Sequence, residues 1–219
     1  MTFQPEKIIA FQNLLKQDTF NRYESWEHCY QAFKDINKDD DYLALHLGFY
    51  LASWGMYRGS TGLLQKDYKI HTGAVAIIKK YYNDLRCSQN FEVSKDSINK
   101  ILELKKELFD YYNQFKYQTK ENTFEQKPPT DTLLSKIVLG TLGCSPAFDR
   151  YFNNGVKAHK IKATRFNQND FEELFKFVER NRTNIERFQN ELFQEEGIYY
   201  PVFKIVDMFF WNEGYSKEK

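Results

Sequence analysis

The sequence predicts an all-α fold, a two-lobed bundle of about eight or nine helices, on three observations. Apolar residues recur at helical spacing along nearly the whole chain, while strand-like alternation is scarce. Only 5 prolines and 10 glycines interrupt 219 residues. Hydrophobic residues make up 42% and charged residues 28%, enough to fill a core and keep a wettable surface.

The elements follow in order. Phe11, Leu14 and Leu15 open a first helix after Pro5, and a second runs from about Arg22 to Ile36 with Trp26, Cys29, Tyr30 and Phe33 on one side. A third begins after Asp39, Asp40 and Asp41, whose charges suit the positive end of a helix. It carries Leu43, Leu47, Tyr50, Leu51 and Trp54, with a row of small residues at Ala44, Gly48, Ala52 and Gly55 that would let a neighbouring backbone approach closely. Residues 58–62 read as a turn. Tyr68 to Leu85 and Ser94 to Phe115 form the fourth and fifth helices. Polar residues from Lys116 to Lys127, closed by Pro128 and Pro129, read as a linker. Thr130 caps a short helix that ends near Gly143; Ser145 and Pro146 signal the start of another. A long helix starts at Asn169 or Asp170, and Pro201 starts the last. The predicted organisation is an N-terminal lobe over 1–117, a linker over 118–129 and a C-terminal lobe over 130–219, or all of these in one compact domain.

No apolar run reaches the roughly 18–20 residues of a membrane span, and the mean hydropathy is -0.68. The stretch from Met1 to Lys7 lacks the pattern of a signal peptide. The three cysteines, Cys29, Cys87 and Cys144, are far apart and form no CxxC pair, which argues against a disulfide framework or a cysteine zinc site. A cytoplasmic protein without membrane contact is expected. The common phosphate-loop, dinucleotide, zinc-protease and serine-hydrolase motifs are absent. His28, His46, His71 and His159 do not pair at metal-ligand spacing. Cys144 beside a helix start could have an activated thiol, although a buried structural cysteine suits it better.

The net charge is +1, but its distribution is uneven. Arg150, Lys157, Lys160, Lys162 and Arg165 fall within sixteen residues that contain no acid. Just before this segment, Ser135 to Phe152 reads as helix, tight turn, new helix. Folding back at Gly143 would bring Lys136 and Asp149 to one cleft, where an amine beside a carboxylate can perform nucleophilic or general-base work. The plainer reading is a helix-start acid that only stabilises its helix, beside a solvated lysine.

Ser135-Lys136, Ser145-Pro146 and Asp149-Arg150 resemble the corresponding features of the helix-hairpin-helix DNA glycosylase superfamily. The resemblance covers about 18 residues, and no Leu-Pro-Gly-Val-Gly-like hairpin precedes Lys136. It implies an all-helical, two-lobed enzyme with its active site between the lobes, Asp149 as the carboxylate required for base excision and Lys136 as a Schiff-base amine. Blocks around His46–Lys66 and Thr141–Phe152 also resemble uncharacterised bacterial proteins, a likeness that implies no activity.

The expectation is a protein that engages DNA or another nucleic acid, acting as a glycosylase-like hydrolase without metal or organic cofactor. Trp54 and Tyr57 would line a base pocket, and Arg58, Arg150, Lys157, Lys160, Lys162 and Arg165 would meet phosphates. The alternative is a non-enzymatic helical interaction module, a homo-oligomer or the accessory subunit of a protein partner, using the small-residue row and surplus aromatics as its interface.

Overall fold

A computed structural model describes residues 2–18, 20–118 and 121–216. Among the described residues nine α-helices form: α1 (Pro5–Leu15), α2 (Ser25–Ala32), α3 (Asp40–Ser53), α4 (Thr72–Leu85), α5 (Ile98–Asn113), α6 (Asp131–Thr141), α7 (Arg150–Ala158), α8 (Gln168–Glu196) and α9 (Val202–Ser216). Short side chains fix several starts by capping backbone N–H groups that have no partner within the helix. Asp39 accepts from the N–H groups of Asp41 and Tyr42 ahead of α3, and Thr130 from Leu133 ahead of α6. Asn167 accepts from Asp170 ahead of α8, and Gly197 ends that helix at φ +66°.

Four expectations need correction. The second and fifth helices open with 3-10 turns, at Arg22–Glu24 and Lys95–Ser97, and α2 stops at Ala32. The stretch expected to be a linker instead forms an antiparallel hairpin, β1 (Lys116–Gln118) on β2 (Phe124–Gln126), with Lys116 opposite Gln126. Thr119 and Lys120 of that stretch lie outside the described residues. Lys66 Nζ donates to the Lys116 carbonyl at 2.6 Å and Lys127 Nζ to the Gly59 carbonyl at 3.1 Å, which ties the hairpin to the turn after α3. Ser145 and Pro146 do not start a helix: α7 begins at Arg150 with Asp149 as its cap. The small-residue row is not one packing seam either. Ala44 is buried and Gly48 has the Tyr68 side chain against it, so a methyl there would lie 2.7 Å from Tyr68 Cβ. Ala52, however, is exposed, and Gly55 turns the chain at φ +68°.

Buried apolar residues from Phe3 to Phe210 form one cluster spanning both halves of the chain. Phe11 on α1 packs edge-on to Tyr23 and against Trp211, whereas the side chains of Leu14 and Leu15 lie outside the described part. The closest helix crossing is between α7 and α9. A methyl at Gly155 would collide with the carbonyl oxygen of Phe210, and one at Gly214 with that of Tyr151. Backbone rests on backbone there, which sets Tyr151 and Trp211 side by side with ring centroids 5.2 Å apart.

Candidate active-site cleft

The site is built on the turn between α6 and α7. Its apolar residues sink α6 into the core, and Lys136 sits on it among fully buried neighbours. Gly143 reverses the chain at φ +74°, where a side chain would meet the Pro201 ring at 2.6 Å. The returning strand of backbone is held from two sides. Ser135 Oγ accepts from the Phe148 N–H at 2.9 Å, and Thr132 Oγ1 donates to the Phe148 carbonyl at 2.9 Å. From α9, Asp207 Oδ1 accepts from the Ala147 N–H at 2.9 Å.

Asp149 follows directly. Its Oδ1 accepts from the Phe152 N–H at 3.0 Å, and its Oδ2 accepts from Lys136 Nζ at 2.9 Å. The two side chains are 4% and 13% exposed, so the ion pair is largely shielded and Asp149 keeps the more open face. Lys136 Nζ also lies 4.6 Å from the centre of the Trp54 ring, a cation–π contact. The fold therefore brings together the ammonium and the carboxylate that the sequence placed on consecutive helices.

They line a cleft of about 480 Å³ together with Thr132. Trp54, Met56, Tyr151 and Trp211 also line it. Arg22, Arg58 and Arg150 complete the lining, and all three are exposed. Four cations here meet one carboxylate, which makes the cleft electropositive. Arg22 stacks over Tyr23 and Trp54 at 5.5 and 5.4 Å, and Arg150 donates to the Tyr151 hydroxyl at 2.9 Å.

Beneath the cleft lie further charges. Lys204 and Asp207 on α9 are 7% exposed each. Burial pushes the Asp207 carboxyl up to about 6, against the pull of Lys204. Burial lowers the Lys204 ammonium, which Asp207 and Glu27 partly restore.

Of the other residues singled out from the sequence, Tyr57 does not line the cleft. Its hydroxyl bonds His71 Nε2 at 3.0 Å, while His71 Nδ1 bonds the Tyr112 hydroxyl at 2.6 Å. Burial pushes Tyr57 up to about 12 and His71 down to about 3. Lys157, Lys160, Lys162 and Arg165 are exposed around and beyond the far end of α7, about 10 Å or more along the helix from Arg150, and they do not line the cleft. Cys144 is buried, which raises its thiol and leaves it unsuited to nucleophilic work. Sequence reasoning missed Arg22, Tyr151 and Trp211. Tyr151 adjoins Arg150 and could have been included; Arg22 and Trp211 reach the cleft only through tertiary packing. Comparison with protein-family models, with curated proteins and with solved structures finds no match to this chain.

Proposed function

We propose that the cleft takes a planar, negatively charged ligand, a nucleotide unit of nucleic acid, and that Asp149 and Lys136 act on it in a glycosylase-like base excision. The observation that carries this reading is the position of the shielded Lys136–Asp149 pair in a cleft lined by three aromatic rings and three arginines. Rings suit the face of a base, and guanidinium groups suit phosphate oxygens. A base held in a duplex would have to leave the stack to reach Asp149. In the hydrolysis, the N-glycosidic bond breaks and its electron pair leaves with the base. A water oxygen joins the sugar carbon, and the proton that water gives up passes to the base. Asp149 faces the positive charge that develops on the sugar. Lys136, which donates to Asp149, assists by holding that carboxylate in place.

A binding titration against single-stranded and duplex DNA tests the first half of the proposal, with steep weakening expected as salt rises. Asp149→Asn tests the second: it should bind DNA as the parent does and release no base from damaged duplexes. Base release by that variant would end the catalytic assignment, and absence of DNA binding at low salt would end the nucleic-acid reading. A protein-interaction role has one observation in its favour, the exposed stripe of Tyr42, Leu45 and Phe49 along α3. Sedimentation that shows self-association, abolished by Phe49→Ser, would support that second reading.

A further inference from the structure

Across Trp54 and Trp211 from the cleft lies a second, smaller cavity of about 70 Å³. Four aromatic rings from four parts of the chain line it: Phe11 of α1, Tyr23, Trp54 at the end of α3, and Trp211 of α9. Their centroids are close. Phe11 is 5.4 Å from Tyr23 and 5.6 Å from Trp211; Tyr23 is 5.4 Å from Trp54; Trp54 is 5.9 Å from Trp211. Glu27, Lys204 and Asp207 supply its charged lining.

Those charges do not balance. The lining holds two carboxylates, Glu27 and Asp207, against one ammonium, Lys204, which leaves one carboxylate in excess. Lys204 Nζ lies 4.7 Å from the Trp26 ring, and Trp26 is not part of this cavity's lining. Glu27 Oε1 accepts from the Tyr200 hydroxyl at 2.9 Å, whereas its buried Oε2 has no hydrogen-bond partner among the described residues. A buried carboxylate in excess either takes up a proton or meets a cation. Burial pushes the Glu27 carboxyl above its ordinary range, against the pull of Lys204.

The lining selects among cations. Hard metal ions need six or more oxygen ligands, and here rings and aliphatic groups outnumber carboxylates. No group of three or more His, Cys, Asp or Glu side chains suited to a metal forms among the described residues. Aromatic faces beside a carboxylate are the setting for an organic cation. We propose that this cavity binds a small alkylammonium group, with Glu27 as its counter-charge and the rings of Phe11, Tyr23, Trp54 and Trp211 as its walls. The inference stands apart from the cleft reading, because it needs neither a nucleic-acid ligand nor any chemistry at Asp149.

Calorimetric titration of the full chain with methylammonium chloride, against potassium chloride at equal ionic strength, is the test. One saturable site is expected, with proton release visible as a heat that changes with the ionisation enthalpy of the buffer. Glu27→Gln should weaken binding about tenfold or more and abolish the proton release, and Phe11→Leu should weaken it severalfold. Circular dichroism establishes that each variant is folded; if Glu27→Gln is not, Phe11→Leu and the buffer dependence decide the matter. Equal heats from the two salts, or variants that bind as tightly as the parent, would overturn the proposal. Loss of DNA binding with this site intact would refute the cleft reading alone.

Discussion

Lys136 and Asp149 depend on each other unequally. Asp149 has a second partner in the Phe152 N–H, and asparagine caps a helix about as well as aspartate. Lys136 has no such substitute: without its ammonium, a carboxylate only 13% exposed loses its ion-pair partner. Lys136→Met should therefore cost about 3 kcal/mol, the lower end of the range for breaking a buried pair, and Asp149→Asn clearly less. Chemical denaturation of both variants checks the order. Two other groups act in opposite directions with pH. Asp207 is raised to about 6 from 3.8, so between those values the folded chain holds a proton that the unfolded chain has released. Its contribution to stability is full below the lower value and lost as pH rises through 6. His71 is lowered from 6.5 to about 3, so over that range the unfolded chain holds the extra proton. Its contribution is present above 6.5 and falls as pH drops. Between pH 4 and 6 the two slopes oppose each other at about 1.4 kcal/mol per pH unit each. Relative to the parent, Asp207→Asn should steepen the acid loss of stability and His71→Phe should flatten it, measured by urea melts across that window.

The crossing of α7 on α9 ties packing to the cleft, because the same helices carry Tyr151 and Trp211. Gly155→Ala should cost about 3 kcal/mol or more, since the added methyl meets backbone that cannot rotate away. Thermal melts would show the loss, and any ligand affinity of the cleft should fall with it. No local sequence signal marked this crossing. Gly48 lies in a row of small residues at helical spacing, whereas Gly155 and Gly214 stand singly on helices far apart in sequence. The sequence pattern identified the helices themselves because each buries one face, and it placed Lys136 and Asp149 together because a single tight turn joins their elements. It failed over 116–126, where polar residues fold as a hairpin tied down by Lys66 and Lys127, contacts made by side chains from elsewhere. It also placed the α7 start too early, taking Ser145 as the cap when the backbone from 146 to 149 is held by Ser135, Thr132 and Asp207.

One hydrophobic cluster links both halves, so the whole chain should unfold in one transition followed equally by circular dichroism and calorimetry. Two separated transitions would divide it into lobes. The distribution of cations makes a further prediction for nucleic acid: Arg58→Ala should reduce the slope of log affinity against log salt by about 0.7 to 0.9, and Lys162→Ala should change it less. Neither Arg22 nor Trp211 could be assigned to the cleft from sequence, since residues from opposite ends of the chain meet there only once the core has formed. That convergence has an optical consequence. All three tryptophans of the protein, Trp26, Trp54 and Trp211, have a lysine or another indole as neighbour around the same buried charges. Tryptophan emission, excited selectively, is thus a built-in reporter for this region, and it carries no direct signal from the hairpin, which holds no tryptophan.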